Sequence, residues 1–247
     1  MPLRIFLAGA AGVVGRRLVP LLLAQGYDVT GTTRSAERAG LLAAAGIRPV
    51  VLDAFEAAPV MAAVAAAGPD VVIHQLTDLP QQIDPPVLAE ALSRNARLRI
   101  EGTRNLVAAA VAAGVRRIVA QSIAFAYATG PRPHRETDPL DHGAQEPRAA
   151  TVKGVAALED AVTRTPGIDG LVLRYGRLYG PGTWNPAVAS GAGSLHVDAS
   201  AQAALLAVAR GFPGIYNIAE DDGEVAIGKA RRELGFDPDF RIPEQRP

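Results

Sequence analysis

Three glycines spaced three apart, in Gly9-Ala10-Ala11-Gly12-Val13-Val14-Gly15, sit between the apolar run Leu3–Ala8 and an amphipathic stretch, Val13–Ala24. Glycine tolerates positive φ and lets the backbone approach another group closely. The first turn of the helix that follows, with the N–H groups of Val13, Val14 and Gly15, carries a partial positive charge suited to a pyrophosphate. A triplet placed between a strand and a helix, at the start of an α/β pattern, predicts a dinucleotide site. The next strand, Tyr27–Thr33, indicates which dinucleotide. An acid at its carboxyl end would hold the ribose 2′-hydroxyl of NAD, whereas an arginine would accommodate the 2′-phosphate of NADP. Asp28 sits about 20 residues past the glycines, but it stands at the strand's entry, roughly 16 Å from the far end at about 3.3 Å per residue. Thr32, Thr33 and Arg34 occupy that end. The forked donors of Arg34 suit a phosphate, so NADP is favoured over NAD. A solvated loop arginine is the alternative reading of the same residue.

The elements that must position these groups alternate. Strands are predicted at Leu3–Ala8, Tyr27–Thr33, Pro49–Leu52, Val71–Gln75, Val115–Gln121 and Gly170–Leu173. Helices are predicted at Val13–Ala24, Ala36–Ala45, Phe55–Ala67, about Pro86–Ala113 and Arg148–Arg164. Short apolar strands alternating with helices imply βαβ units and a doubly wound parallel sheet of Rossmann type, covered on both faces. After Tyr175 the pattern loosens into a Gly/Pro-rich loop (Gly176–Gly193), a helix (Ala199–Arg210), a short strand (Gly214–Ile218) and a last helix (Val225–Leu234). The division expected is a dinucleotide-binding domain over residues 1–180 and a small substrate-side region over 181–247, packed on it as one unit.

Composition narrows the classes further. The 247 residues suffice for one substantial core, and a net charge of zero gives no reason to expect a nucleic-acid partner. The absence of cysteine removes thiolate chemistry and suits a reducing cytoplasm. His74, His134, His142 and His196 are too scattered for a zinc site. No apolar run approaches the length of a membrane span, and the first strand begins too early for a signal peptide.

Several later segments, with the glycine turn, resemble the short-chain dehydrogenase/reductase superfamily, and most closely its extended or atypical branch, the NAD-dependent epimerase/dehydratase family. Val51-Leu52-Asp53 is similar to the third-strand end whose aspartate contacts adenine, with Ala54 beside it. Val72-Ile73-His74-Gln75-Leu76-Thr77 resembles the fourth strand and the loop under the cofactor. Glu101-Gly102-Thr103-Arg104-Asn105-Leu106-Val107, Val115–Ser122, Arg174-Tyr175-Gly176-Arg177-Leu178-Tyr179-Gly180-Pro181-Gly182 and Leu195-His196-Val197-Asp198 match further family segments. The resemblance implies that Asp53, Ala54, Gln75, Leu76, Thr77 and Tyr175 join the cofactor site. It also implies a homodimer through the helices near Pro86–Ala113 and Arg148–Arg164.

The family's chemistry uses a tyrosine four residues before a lysine on one helix face, plus a hydroxyl residue at the end of strand five. The lysine lowers the phenol pKa and the hydroxyl binds the reacting oxygen. Here Lys153 stands at the lysine position, but Ala149 stands four before it. Ser122 is the strand-end hydroxyl, although the family often places it where this chain has Ile123. The family's asparagine on the long helix falls at Arg99. Lys153 could still bind the nicotinamide ribose. Tyr127, or a tyrosine after strand six (Tyr175 or Tyr179), could supply a phenol from another position. His196 and Asp198 read equally well as a helix cap. Only Thr183–Ser194 separates the Gly180-Pro181-Gly182 turn from Leu195, so the lid over the substrate is short. Two functions follow. One is a hydride-transferring oxidoreductase acting on a small carbonyl, alcohol or sugar-like substrate without the usual tyrosine. The other is a non-catalytic NADP(H)-binding sensor or regulatory module.

Overall fold

The structure is a computed structural model that describes residues 1–80, 85–189 and 191–243, with backbone only at 85 and 86. Six strands and their crossovers follow the expected order: β1 (Arg4–Ala8), α1 (Val13–Ala24), β2 (Asp28–Thr33), α2 (Ala36–Ala44), β3 (Arg48–Val51), α3 (Ala57–Ala67) and β4 (Val71–His74). The long helical stretch comes next, in three pieces: α4 (Pro85–Arg97), a π-helical turn (Leu98–Gly102) and α5 (Thr103–Ala112). Then follow β5 (Arg117–Ile123), α6 (Arg148–Thr163) and β6 (Asp169–Tyr175).

The seven main strands are parallel, in the order β3-β2-β1-β4-β5-β6-β9, where β9 is Gly214–Ile218. The order reverses between β1 and β4, and in such sheets the ligand crevice lies beyond the carboxyl ends at that reversal. Strands buried on both faces read as continuous apolar runs. Phe6, Leu7, Val72, Ile73 and Val119 are accordingly fully buried. One face packs on α1 through Val14, Leu18 and Leu22 and on α7 (Val197–Ala209); the other packs on α3, α5 and α6. Because β9 completes the same sheet and α7 packs on α1, the chain after residue 180 shares the core of the first part.

Several expected elements differ. β5 and β6 each run two residues further than periodicity indicated, to Ile123 and Tyr175, because their ends pair with each other. The segment expected to be loop contains β7 (Arg177–Tyr179), which pairs in parallel with β8 (Ser194–His196). Three residues are too few for a periodic signal, and their partner is 17 positions away. The last helix, α8, is only Gly228–Leu234; Val225 instead bridges His134. Residues 190 and 244–247 of the expected loop and tail lie outside the described residues. Among the described residues no helix is long and apolar enough to cross a membrane.

At the end of β4, His74 is fully buried. Its Nδ1 accepts from the Leu76 N–H at 3.2 Å, so the ring's proton is on Nε2, 2.9 Å from Thr103 Oγ1. Burial, reinforced by the nearby Arg99 charge, pushes its pKa down to about 4. The native state therefore refuses a proton that an unfolded histidine accepts near pH 6.5. Stability from this group is complete above that pH and is lost as pH falls toward 4. Thermal melts should show a falling midpoint over that interval, and the slope should flatten in His74→Gln. An equal slope in the variant would refute the assignment.

Candidate functional site

The turn after β1 is built around Gly9, at φ +91°. A Cβ there would lie 2.7 Å from the Gln75 carbonyl oxygen, so only glycine lets β1 and the end of β4 approach this closely. The Gly9 N–H donates to Thr32 Oγ1 at 3.1 Å, fastening the turn to β2. Gly12 caps α1 with no side chain, and the first helical bond runs from the Arg16 N–H to the Gly12 carbonyl. The N–H groups of Val13, Val14 and Gly15 precede that bond and have no carbonyl partner within the helix. Gly15 packs directly on the turn, where a Cβ would collide with the carbonyl oxygens of Gly9 and Ala10.

A groove opens above this turn. From the expected set it is lined by Gly9, Gly12, Arg34, Asp53, Ala54, Gln75, Leu76 and Thr77. It is also lined by Ala11, Arg38, Leu52 and Leu98, which the sequence alone does not assign to it, and by Thr32 and Thr33 at the end of β2. Arg38 lies in the first turn of α2, directly after the β2–α2 connection that carries Arg34, a position that could have found it. Asp53 Oδ1 accepts from the Phe55 N–H, and Asn105 Nδ2 donates to the Ala54 and Phe55 carbonyls, which fixes this wall. Arg34 reaches across the groove to Asp78 at 2.9 Å. Asp28, at the other end of β2, is paired with Arg48.

The donor set fits a dinucleotide: free helix N–H groups over a glycine turn, two arginines at one end, and a buried acceptor. That acceptor is Gln75 Oε1, which has no hydrogen-bond donor among the described residues. Its amide Nε2 donates to the Tyr175 hydroxyl at 3.2 Å, and that hydroxyl in turn donates to the Ser200 carbonyl. Tyr175 thus belongs beneath the groove, holding Gln75, and not in the lining as expected. Burial raises its phenol pKa far above the ordinary value.

The three residues expected to do chemistry are placed elsewhere. Ser122 is fully buried and donates to Glu159 Oε1 at 2.8 Å, on the face of β5 turned to α6. Glu159 also holds Arg174 through two bonds of 2.8 and 2.6 Å. The Ser122 hydroxyl therefore completes a buried ion pair and does not face the groove. Tyr127 donates to Asn217 Oδ1 at 2.6 Å and stacks on His134, which commits its phenol to structure. Lys153 is exposed and lines a separate depression with Asp141, His142 and Ala149. Six residues from Glu159 at 3.6 per turn, it points about 120° away from the sheet-facing side of α6. Two further phenols are also engaged. Tyr179 donates to Glu220 and receives from Arg241; Tyr216 bonds Glu233 and Phe212. His196 caps α7, its Nδ1 accepting from the Asp198 N–H, while Asp198 takes Arg17 and the Ile242 N–H.

A seven-stranded parallel sheet with a glycine-turn groove at its reversal point defines a dinucleotide-binding protein of Rossmann type. The chain belongs to the NAD dependent epimerase/dehydratase family, whose model matches residues 5–194. Membership makes it an NAD(P)-binding oxidoreductase by class. It is 43% identical, over 98% of its length and 84% of the relative's, to a 3-diazoavenalumate denitrifying reductase from a Streptomyces species. Its fold is similar to UDP-glucose 4-epimerase of Thermotoga maritima, with a TM-score of 0.78 and 18% identity over 96% of this chain and 94% of that one. It is also similar to the dTDP-glucose 4,6-dehydratase DesIV of Streptomyces venezuelae, with a TM-score of 0.76 and 22% identity over 97% and 93%.

Proposed function

We propose that this protein is an NADPH-dependent reductase that delivers hydride to an acceptor needing no proton from the enzyme, with a diazo-substituted arene as the class of substrate. One observation carries the reading. Each expected hydroxyl donor is committed within the fold and none lines the groove: Ser122 to Glu159, Tyr127 to Asn217, Tyr175 to Ser200 and Tyr179 to Glu220. A ketone or aldehyde reduced by hydride becomes an alkoxide and calls for such a donor. An arenediazonium does not. The bound cofactor would supply hydride in the overall reaction Ar–N2⁺ + NADPH → Ar–H + N2 + NADP⁺. The new C–H bond uses the hydride pair, the C–N pair leaves with N2, and no proton enters. The likeness to the Streptomyces relative, named for denitrifying a diazo compound, supports the same class.

The preference for NADPH rests on Arg34 and Arg38 in the groove lining and on the lack of a carboxylate at the carboxyl end of β2. The chain's own residues would bind and orient: the first turn of α1 and Gly12 at the diphosphate, Asp53 and Ala54 at the adenine, Gln75 through its unpaired oxygen.

Cofactor oxidation and nitrogen release with a stable arenediazonium salt, corrected for the uncatalysed reaction, test the reading against a panel of ketones, aldehydes and keto-sugars. Diazo-dependent NADPH consumption, matched mole for mole by N2 and varying little between pH 6 and 9, is expected. Turnover of the carbonyl panel alone would overturn it. Tight NADPH binding with no turnover of either set would favour the sensor.

A further inference from the structure

Arg34 lines the groove with an anion already on its guanidinium. It follows β2 directly, and its Nη2 donates to Asp78 Oδ1 at 2.9 Å. Asp78 comes from the other flank, immediately after Thr77, which lines the groove beyond the end of β4. β1 lies between β2 and β4 in the sheet, so the pair joins the two sides of the glycine turn. Its members are unequally exposed, Arg34 at 57% and Asp78 at 16% of the side chain. The Asp78 N–H also donates to Oδ1 of Asn95 at 2.8 Å, and Asn95 is buried in α4. Asp78 is therefore the fixed member of the pair, and Arg34 the one free to swing.

A second arginine stands behind the same carboxylate. Arg94 of α4 places its Nε 3.6 Å from Asp78 Oδ2, while its Nη1 bonds Glu90 at 2.7 Å. One carboxylate thus faces two guanidinium groups, one oxygen to each. Glu90 is 73% exposed, so water solvates it readily when Arg94 turns toward Asp78. This arrangement gives a route on which no charge is stranded. When a phosphate takes Arg34, Asp78 keeps Arg94, and the two anions end on different arginines. Without Arg94 the released carboxylate, mostly covered, would stand unpaired beside an incoming charge of the same sign.

We infer that Asp78 is a specificity-determining residue. It is the resident anion on Arg34, exchanged for the 2′-phosphate of the cofactor, with Arg94 receiving the carboxylate. The guanidinium fork accepts a carboxylate or a phosphate in the same geometry. The phosphate displaces the carboxylate because it brings the greater charge. A ligand with a free 2′-hydroxyl offers Arg34 no charge, so the pair stays closed beside it. The assignment rests on the reading of the groove as an NADPH site, and it adds the partner that Arg34 must release.

Isothermal calorimetry on the full chain at low salt tests it with two fragments, adenosine 2′,5′-bisphosphate and adenosine 5′-diphosphate. The wild-type protein should bind the 2′-phosphate fragment more tightly. Asp78→Asn keeps the shape and the backbone bond to Asn95 but removes the competing charge. It should strengthen the 2′-phosphate fragment about threefold, the scale of an exposed ion pair, and move the 5′-diphosphate less than about twofold. Arg94→Met should weaken the 2′-phosphate fragment by a similar factor, because Asp78 then has Arg34 alone. In the Asp78→Asn background the same Arg94 change should have no effect, which separates a receiver for Asp78 from a direct phosphate ligand. An Arg94 effect that persists there overturns the exchange. Equal strengthening of both fragments by Asp78→Asn also overturns it, since the pair would then be a plain obstruction. So does weakening of the 5′-diphosphate, for Asp78 would then hold a ribose hydroxyl. A wild-type protein without preference between the fragments refutes the NADPH reading and this assignment together; a preference that Asp78→Asn leaves untouched refutes this assignment alone.

Discussion

Glu159→Ala is expected to lower the melting temperature by about 10 °C. The carboxylate and its partner Arg174 are almost wholly buried, at 6% and 3% side-chain exposure, and Ser122 donates to the same oxygen. Removing one member of a buried pair strands the other, at a cost of about 3–5 kcal/mol. At roughly 2–4 °C per kcal/mol for a chain of this size, that shift is readily measured by calorimetry or circular dichroism. The double change Glu159→Met with Arg174→Met should recover most of the loss, since an apolar pair of similar volume leaves no charge behind. A drop below about 2 °C in the single variant would show that the pair is not the anchor between α6, β5 and β6. The same variants separate structure from chemistry at Ser122. If its hydroxyl serves only the ion pair, Ser122→Ala should reduce stability modestly and leave cofactor binding unchanged.

Arg34→Ala is expected to weaken NADPH about tenfold while changing NADH less than twofold, measured by titrating nicotinamide fluorescence. Hydrogen bonds to a charged partner contribute about 1.5–3 kcal/mol, and the lower end applies because the Arg34 side chain is 57% exposed. Its present partner Asp78 must be displaced by the incoming phosphate, which trims the gain further. The difference between the two cofactors should shrink as salt is raised, since an exposed pair is screened within about 10 Å at 0.1 M. Equal weakening of the two cofactors would assign Arg34 to the groove wall and remove the main support for NADPH. Arg38→Ala should act in the same direction with a smaller effect, because Arg38 stands in the first turn of α2, further along the chain from the end of β2.

Much of the framework was legible in the sequence because its signals are local. The alternation of apolar strands and helices, the glycine spacing before Val13, and the stop at Gly68 depend on residues within a turn or two of one another. The boundaries of α1 are as periodicity indicates, and the groove residues after β1, β2, β3 and β4 are those expected at the ends of consecutive strands. β7 and β8 were not legible: each has three residues, and they meet only because the chain returns to the same place.

Side-chain direction was the other blind spot. Ser122, Tyr127, Tyr175 and Lys153 are residue types that can move protons or bind ribose, and each lies within a few positions of where such a group would stand. Whether they do so depends on partners 37 to 100 residues away, such as Glu159 for Ser122, Asn217 for Tyr127 and Gln75 for Tyr175. A hydroxyl commits to the nearest buried acceptor, and sequence distance carries no information about which acceptor that is. The reverse holds for Arg99, which reads as one arginine among many in a chain with only two lysines. Its burial, beside the Glu159 charge, depends on how the π-helical turn packs on α6. By itself, then, the sequence determined a parallel sheet with a glycine turn after β1 and an arginine just past the carboxyl end of β2, because those follow from spacing and backbone conformation. Only the tertiary structure decided which polar groups are spent on holding the fold and which remain for a ligand, because that depends on which side chains meet across the core.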